Sequence, residues 1–390
     1  MVGGSESMNT SGIPQSGIRV IYHEALKYGD AIHLEIGDPD LPTPSFVIDS
    51  ACEALQKGYT HYTHNAGLLE LREEISRYYS RKYGASYDPE RNVIVTAGST
   101  EALFLTLLAL LDVGDEVLIP DPGYPSYLAM IAAARGRVRR YPLREEEGFE
   151  VNPEDVAENI TPRTKAVIVN NPNNPTGSVT PPEKLREVAR IAAESGAYLI
   201  ADEVYENIVY EGERFRSFSE FREFRDRIIV VNSFSKSYAM TGWRLGFAVT
   251  GNEEIIKTMT KLQEGVVACV PAAFQKAGIK VLMEGDTVIQ EMVKEYRRRR
   301  DKALEILSEA EGISFVKPKG TFYVFVNISK YAKNSMEFSL NLLRNHRVAT
   351  APGISFGPNS EGYIRISYAT SISNVEEGVK RLVSHLKTLK

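Results

Sequence analysis

From residue 92 onward, short apolar segments alternate with longer segments in which apolar residues recur at helical spacing. The short segments, such as residues 166–169 and 228–231, are apolar at every position, which is typical of strands buried on both faces. Strands that alternate with helices in this way favour a mostly parallel sheet with helices packed on both sides. The sequence therefore predicts an α/β fold for this part of the chain.

The pattern changes after residue 286. A long helical segment at 287–310 is followed by short strands and further helices, at 313–316, 322–326, 335–345, 347–350, 363–367 and 375–390. We interpret residues 16–44 and 286–390 as a smaller α+β domain beside a large domain at 45–285. Residues 38–44 contain three prolines, which exclude a helix or central strand and predict a connector. Residues 1–15 are expected to form a flexible arm.

Composition excludes several functions. The chain has 390 residues, a net charge of -5 and two cysteines. The acidic balance argues against binding to nucleic acid or anionic membranes, and no apolar run approaches the roughly 18 residues of a membrane span. Two isolated cysteines predict neither a disulfide framework nor a metal site, so we expect a cytoplasmic protein without a metal. The arginines at 297–300 are interpreted as a solvated helix face with acidic partners.

Polar or turn-forming residues follow the predicted strands of the sheet, and ligands bind beyond such strand ends in an open parallel sheet. Lys236 follows the strand at 228–231, with serines on both sides and Arg244 nearby. A desolvated lysine has a lowered pKa and is nucleophilic, while hydroxyls and an arginine suit a phosphate. Pyridoxal phosphate, held as a Schiff base, satisfies both requirements. The alternative is a surface loop in which Lys236 is merely solvated.

Five other positions each admit a functional and a structural interpretation. Ser99 and Thr100 precede a helix and either bind a phosphate through backbone N–H groups or only cap that helix. Asp202 ends an apolar strand and pairs either with a pyridinium nitrogen or with a structural cation. Tyr124 either stacks on a flat cofactor or packs in the core. Arg365 lies in an apolar strand and either binds a substrate carboxylate or faces solvent.

Several segments together resemble the class I/II aminotransferases of fold type I, the aspartate aminotransferase family. They are HYTHNAGLLELR at 61–72, AGSTEAL at 97–103, DPGYPSY at 121–127, NNPNNPTG at 170–177, ADEVYE at 201–206, SFSKSYAMTGWRLG at 233–246 and YIRISYA at 363–369. The resemblance spans residues 37–368 and implies a large domain with a mostly parallel, seven-stranded sheet. It also implies an aminotransferase that moves the α-amino group of an L-amino acid to a 2-oxo acid, 2-oxoglutarate above all, by a ping-pong mechanism.

The resemblance implies roles for residues around the cofactor ring. Lys236 would hold pyridoxal phosphate as a Schiff base and shuttle a proton, and Asp202 would pair with the pyridinium nitrogen. Tyr124 would stack on the ring, whereas Asn174 and Tyr205 would contact its oxygen. Lys236, Asp202 and Tyr205 would therefore be the catalytic residues.

It also implies how the phosphate and the substrate are held. The phosphate would be bound by Ser99, Thr100, Ser233, Ser235 and Arg244. Tyr62 would reach the phosphate of a neighbouring subunit, which implies a homodimer with shared active sites. Arg365, with Gly37 and Asn174, would bind the substrate α-carboxylate.

One feature of dicarboxylate-specific members is not matched in this sequence. No second cation for a side-chain carboxylate is identified, so aspartate is not predicted as the preferred substrate. His64, Asn65 and Tyr323 are further candidates for the pocket. A β-C–S lyase and an aminocyclopropane-carboxylate synthase remain alternatives, because both need a nearly identical cofactor site. A regulator with an aminotransferase-like domain is disfavoured, since the residues before Phe46 leave no room for a DNA-binding helix-turn-helix.

Overall fold

The computed structural model describes residues 13, 15–210, 212–213 and 215–389. The helices are α1 (Gly17–Ala25), α2 (Ser45–Gln56), α3 (Leu69–Tyr83), α4 (Ser99–Leu110), α5 (Ser126–Ala133), α6 (Pro153–Asn159), α7 (Pro182–Glu194), α8 (Phe234–Ser237), α9 (Glu253–Val266), α10 (Ala272–Glu284), α11 (Asp286–Leu307), α12 (Ser335–His346) and α13 (Ile372–Thr388). The arm expected at residues 1–15 lies, apart from Ile13 and Gln15, outside the described residues.

The strands belong to three sheets. They are β1 (Ile32–His33), β2 (Val93–Thr96), β3 (Glu116–Asp121), β4 (Arg137–Pro142), β5 (Thr164–Asn170), β6 (Tyr198–Asp202), β7 (Ile228–Ser233), β8 (Gly246–Thr250), β9 (Ser314–Phe315), β10 (Tyr323–Asn327), β11 (Val348–Ala349), β12 (Ala351–Pro352) and β13 (Tyr363–Ser367). The largest sheet has seven strands in the order β2-β8-β7-β6-β5-β3-β4. Only β8 runs antiparallel to its neighbours, so the sheet is mostly parallel.

Burial on both faces explains why the strands of this sheet are continuously apolar. In β7, Ile228 and Val230 pack into one cluster with residues of α3 and α7, whereas Ile229 and Val231 pack into another with residues of α4 and α9. Successive side chains of a strand point to opposite faces, so both sets need apolar residues. The predicted α/β class, with helices on both sides of the sheet, is therefore confirmed.

The remaining strands form smaller sheets. An antiparallel sheet has the order β12-β13-β10-β9, and β1 pairs in parallel with β11. Buried residues of α11, α12 and α13 join β1, β10 and β13 in one apolar cluster. This arrangement places the end of β13 and the segment after β1 beside the large sheet. The division into domains at 16–44 with 286–390 and at 45–285 stays a prediction.

The structure corrects the interpretation of the arginines at 297–300. Arg299 and Arg300 are buried in α11, not solvated. Arg299 forms an ion pair with Asp40 at 2.7 Å, and Arg300 donates to the carbonyl of Pro318 at 3.0 Å. Four consecutive residues cover more than a full helical turn, so part of the run must face inward. Of these two residues, Arg299 binds the connector at 38–44, which forms no helix or strand.

Within the described residues, no helix combines the length and apolarity that crossing a membrane requires. The cytoplasmic location inferred from the sequence stays a prediction.

Candidate active site

A cavity of about 650 Å³ opens where the large sheet meets the segment after β1 and strand β13. It brings together nearly all the residues selected from the sequence. They are Gly37, Ser99, Thr100, Tyr124, Asn174, Asp202, Tyr205, Ser233, Ser235, Lys236, Arg244, Tyr323 and Arg365. The convergence expected at the strand ends is therefore present in the structure.

Lys236 lies at the centre of this cavity, in the single turn of α8 that follows β7. Its Nζ donates to the carbonyl oxygen of Gly37 at 2.6 Å, so it links two distant segments. The pKa of Lys236 is lowered to about 8, mainly by burial; Asp38 opposes this shift, and Arg365 and Arg244 contribute to it. The lysine is half-buried and held in place, so the solvated-loop interpretation is wrong.

Asp202 lies at the end of β6, with only 4% of its surface exposed. Its Oδ2 accepts a hydrogen bond from the hydroxyl of Tyr127 at 2.6 Å. Burial raises the pKa of Asp202 to about 6, against the opposing effect of that hydrogen bond. In the part of the chain that the structure describes, no cation contributes to the pKa shift of Asp202. A buried carboxylate of this kind requires a ligand cation or an N–H donor.

The opposite end of the cavity is suited to an anion. Gly98 has φ +80° and precedes α4, whose first residues are Ser99 and Thr100. A Cβ at Gly98 would lie 2.7 Å from Nη2 of Arg244, so only glycine allows this close approach. Ser233 caps α8 by accepting from the backbone N–H of Ser235. Two helix N-termini, hydroxyls and a guanidinium without a carboxylate partner among the described residues form an anion site.

Arg365 also lines the cavity. It is 3% exposed, which rules out the solvent-facing interpretation. Nη1 donates to Oδ1 of Asn174 at 2.8 Å and Nη2 to the carbonyl of Glu35 at 2.5 Å. The guanidinium carbon lies 4.1 Å from the ring centre of Tyr323. Nε has no hydrogen-bond partner among the residues described, so the group keeps donor capacity for an anion.

Tyrosines define the wall between Lys236 and Arg365. The hydroxyls of Tyr205 and Tyr323 lie 3.0 Å apart, and burial raises the pKa of both. A Cβ at Gly37 would lie 1.7 Å from the Tyr323 hydroxyl, so glycine is required there. Tyr124 lines the cavity and packs edge-on against Tyr127, and its stacking on the cofactor stays a prediction.

Three residues selected from the sequence lie elsewhere. Tyr62 is 88% exposed and does not line the cavity that the described residues form. His64 and Asn65 also lie outside it: Nδ1 of His64 accepts from the N–H of Ala66, and Asn65 donates to Glu264. The segment that contains all three packs against residues 263–275 through these and similar contacts.

The structure also adds residues that the sequence did not identify. Tyr127 supports Asp202 from α5. Ile18 and Arg19 of α1, with Ser16 before that helix and Glu35, also line the cavity. A signal for α1 was present, because residues 18, 21, 22 and 25 have helical apolar spacing. Glu35 is also visible as a carboxylate inside the apolar segment at 31–37. The contact of Tyr127 depends on packing and leaves no local signal.

The cavity beside this sheet contains a lysine of lowered pKa, a buried carboxylate, an anion site and a buried arginine. This combination is that of a pyridoxal-phosphate-dependent transferase of fold type I. The model of the family aminotransferase class I and II matches residues 29–382. The aspartate aminotransferase of Pyrococcus horikoshii is 42% identical over 377 residues, which cover 96% of this chain and 95% of that protein. Aromatic-amino-acid aminotransferase 2 of Thermococcus litoralis is 38% identical over 96% of both chains.

A solved structure gives the same result. Aspartate aminotransferase from Thermus thermophilus with maleate has a TM-score of 0.92 and 38% identity, and the match covers 98% of this chain and 99% of that one. The chain belongs to the class I and II aminotransferase family. It is an aminotransferase that depends on pyridoxal phosphate, as predicted.

The residues present fit that cofactor. Asp202 is a buried carboxylate that lacks a cation, which a protonated pyridine nitrogen would supply. The site around Gly98, Ser233 and Arg244 offers N–H groups, hydroxyls and a guanidinium to a phosphate. Lys236 lines the same cavity as these two features.

Proposed function

We propose that this enzyme transfers the α-amino group of an L-amino acid to a 2-oxo acid in two half-reactions at Lys236, with 2-oxoglutarate as the expected acceptor. The observation that carries the proposal is the shared cavity of Lys236, Asp202 and Arg365, in which an amine, a cofactor partner and a carboxylate partner face one space. The Thermus thermophilus neighbour was solved with maleate, a dicarboxylate, which supports a dicarboxylic acceptor.

The ring end of the cavity would orient the cofactor. Asp202 would hold the pyridinium N–H, Asn174 and Tyr205 the ring oxygen, and Tyr124 one face of the ring. Pyridoxal phosphate supplies an electron sink that weakens the bonds to the substrate Cα. With Asp202 ionised, the pyridine nitrogen stays protonated and that sink is kept.

The phosphate end would anchor the cofactor. Backbone N–H groups of Ser99 and Thr100, the hydroxyls of Ser233 and Ser235, and the guanidinium of Arg244 would bind it. These groups come from the starts of α4 and α8 and from the segment before β8, so the binding energy is spread over three backbone elements.

Lys236 would carry the covalent bond to the cofactor and afterwards move a proton at Nζ. A pKa of about 8 leaves part of the amine neutral near pH 7, as a nucleophile or base must be. The carbonyl of Gly37, which accepts from Nζ at 2.6 Å, would hold the amine when Nζ is not bonded to the cofactor.

Arg365 would bind the α-carboxylate of the substrate. Its guanidinium is held by Asn174 and by the carbonyl of Glu35 and is flanked by the rings of Tyr323 and Phe356, at 4.1 and 4.9 Å. These contacts fix its orientation while leaving Nε unpartnered among the described residues. A carboxylate in this position would also place the substrate Cα near Lys236.

A homodimer is part of the proposal, because Tyr62 lies outside the cavity of its own chain. An exposed tyrosine in a segment packed beside residues 263–275, where Val266 and Val267 are also exposed, suits a subunit interface. Tyr62 would then reach the phosphate of the partner's site. Sedimentation that shows a monomer with full activity would exclude this arrangement.

Spectral half-reactions test the function. The enzyme, mixed with each of the twenty amino acids and no acceptor, should lose its pyridoxal absorbance band with at least one of them and recover it with 2-oxoglutarate. A β-C–S lyase would instead release pyruvate from cysteine conjugates without any oxo acid. Failure of every amino acid to change the band would refute the transfer reaction.

A further inference from the structure

Tyr323 lines the cavity, but the proposed reaction does not use its hydroxyl. It is the first residue of β10, which pairs with β13, the strand that contains Arg365. Tyr323 is only 2% exposed, and a buried hydroxyl costs free energy unless it is hydrogen-bonded. The contacts of this hydroxyl therefore decide what the residue can do.

Three groups of the cavity contact Tyr323. Its hydroxyl lies 3.0 Å from the hydroxyl of Tyr205, and the guanidinium carbon of Arg365 lies 4.1 Å from the centre of its ring. A Cβ on Gly37, whose carbonyl accepts from Lys236, would lie 1.7 Å from the same hydroxyl. Tyr323 thus contacts the residues proposed to bind the ring oxygen and the substrate carboxylate, and also the residue that holds the Lys236 amine.

The chemistry of the two phenols fixes the direction of the hydrogen bond between them once the cofactor is bound. Burial raises the pKa of both Tyr205 and Tyr323, so both are protonated near pH 7 and each hydroxyl can donate one hydrogen bond. Neither hydroxyl has a second hydrogen-bond partner among the described residues. If Tyr205 donates to the ring oxygen, as proposed, the bond between the two hydroxyls must be donated by Tyr323.

A hydroxyl that accepts a hydrogen bond is a stronger donor of its own proton, because the hydrogen bonds of a chain polarise one another. The rings of Tyr205 and Tyr323 pack edge-on with their centres 5.9 Å apart, which holds the two hydroxyls together. Burial raises the pKa of Tyr323, and the charge of Arg365 opposes that rise. The same charge therefore favours donation by the Tyr323 hydroxyl.

We propose that Tyr323 is a positioning residue, which donates a hydrogen bond to Tyr205 and thereby directs the Tyr205 hydroxyl to the ring oxygen of the cofactor. This rests on the proposed function, since it assumes that Tyr205 contacts that oxygen. Loss of the Tyr323 hydroxyl would leave the Tyr205 hydroxyl free to rotate and would make it a weaker donor. Negative charge on the ring oxygen would then be less stabilised.

A pH titration of the absorbance of the bound cofactor tests the proposal, because its midpoint depends on the charge of the ring oxygen. Donors to that oxygen favour the form with the greater negative charge and so lower the midpoint. Tyr323→Phe keeps the ring that packs against Arg365 and removes only the hydroxyl. In this variant the midpoint should rise by about 0.5–1 pH unit, as expected for one lost hydrogen bond. An unchanged midpoint would overturn the proposal.

Tyr368→Phe is the matched control. The hydroxyl of Tyr368 lies 3.1 Å from that of Tyr210, and both residues are buried in the apolar cluster that also contains Tyr205 and Tyr323. Neither Tyr210 nor Tyr368 lines the active-site cavity. Tyr368→Phe should lower the melting temperature and leave the midpoint unchanged. An equal rise of the midpoint in Tyr368→Phe and Tyr323→Phe would mean that Tyr323 only supports the cluster, which contradicts the proposal.

A double variant shows whether Tyr323 acts through Tyr205. Tyr205→Phe should raise the midpoint at least as much as Tyr323→Phe does, because it removes the donor itself. Tyr323→Phe in the Tyr205→Phe background should raise the midpoint no further, since residues that act through one contact are not additive. A further rise equal to that of the single variant would show that Tyr323 acts independently of Tyr205 and would also overturn the proposal.

The two hypotheses fail in different ways. If no amino acid changes the absorbance of the wild-type enzyme, the transfer reaction itself is wrong. If amino acids react, and the midpoint moves in Tyr205→Phe but not in Tyr323→Phe, only the role of Tyr323 is wrong. If the midpoint moves in neither variant, the contact of Tyr205 with the ring oxygen is wrong as well, and the role of Tyr323 falls with it.

Discussion

The phosphate and ring end of the cavity takes its residues from the ends of neighbouring strands in one sheet, whereas the substrate end is assembled from separate segments. Asp202 and Ser233 end the adjacent parallel strands β6 and β7. At the substrate end, the hydrogen bond from Arg365 to the carbonyl of Glu35 joins residues 330 positions apart. The first end is fixed by the sheet itself, and the second depends on how α1, residues 35–37 and β13 pack together.

This difference indicates that the cofactor end determines the chemistry of the enzyme and that the substrate end determines its specificity. Residues that bind the cofactor can remain unchanged while the segments at the substrate end vary, because the latter do not contribute to the large sheet. Relatives with aspartate and with aromatic-amino-acid names match this chain at similar identity, in agreement with a shared cofactor end. Substitutions at the two ends should therefore have separable effects.

Lys236 belongs to both ends, since its Nζ contacts Gly37 from the end of β7. We expect Lys236→Ala to lower the rate of transamination by at least about 10⁴-fold, as is usual for loss of a nucleophile that acts with its neighbours. Borohydride should label the wild-type protein with the cofactor and leave the variant unlabelled. A labelled variant would assign the covalent bond to another lysine.

Variants of Arg365 at the substrate end and Arg244 at the phosphate end test whether substrate affinity and cofactor affinity change separately. Arg365→Ala should lower kcat/KM by about 10²–10³-fold, because it removes the buried charge that we propose pairs with the substrate carboxylate. Its effect on cofactor affinity should be below about threefold, a small fraction of that pairing energy. Arg244→Ala should show the reverse, weaker cofactor binding with a smaller loss of substrate affinity.

Kinetics at saturating cofactor and equilibrium dialysis of the cofactor measure the two quantities. Arg365→Lys keeps the charge without the bidentate geometry and should fall between the wild type and Arg365→Ala. Equal loss of substrate and cofactor affinity in Arg365→Ala would indicate a structural arginine and contradict the separation of the ends.

A variant of Tyr127 tests whether the surroundings of Asp202 set its pKa. The Tyr127 hydroxyl bonds to Asp202 and opposes the rise of that pKa, so Tyr127→Phe should raise the pKa of Asp202 above about 6. The ionised form of Asp202 would then be lost at a higher pH, and the acid limb of the kcat/KM profile should move to higher pH. A loss of about 10–100-fold in cofactor affinity follows from removing a hydrogen bond to a charged group.

Tyr141→Phe is the matched control for Tyr127→Phe. Tyr141 is also fully buried, and its hydroxyl donates to the carbonyl of Ile168 at 2.9 Å, outside the cavity wall. This variant should lose stability without any change in the pH profile. If both variants only lower the melting temperature, the contact between Tyr127 and Asp202 does not set the pKa of Asp202.

The contrast between the ends also explains what the sequence could predict. Asp202 and Lys236 each follow an apolar strand, and parallel strands bring their ends to one edge, so local patterns sufficed to place them together. Arg365 was predictable as an arginine in an apolar strand, but its contacts with Glu35 and Asn174 were not. Those contacts depend on tertiary packing between segments far apart in the chain.

Other parts of the molecule lacked a sufficient local signal. Tyr127 is a tyrosine on a short apolar helix, and only tertiary packing directs its hydroxyl to Asp202 at the end of β6. Arg299 and Arg300 belong to a basic run that is typical of a solvated face, yet the helical period turns them inward to Asp40 and Pro318. Charge alone does not reveal which side of a helix is covered.

The smallest effect that we expect is on stability, through the pKa of His33 at the substrate end. The hydrogen bond to Glu35 raises the pKa of His33 above the ordinary histidine value, against the opposing effect of burial. The folded protein therefore binds this proton more tightly than the unfolded chain. The resulting stability is fully present below the unfolded pKa and is lost as the pH rises through the folded pKa.

The side chain of His33 is 38% exposed, so solvent screening limits the contribution to about 0.5 kcal/mol or less. NMR titration of His33 should give a pKa above that of a free histidine in the wild type and a lower one in Glu35→Gln. Urea unfolding of the wild type relative to Glu35→Gln should show the difference in stability at pH 5.5 and not at pH 8.5. A wild-type pKa at or below the free value would mean that the contact with Glu35 does not stabilise the protonated imidazole of His33.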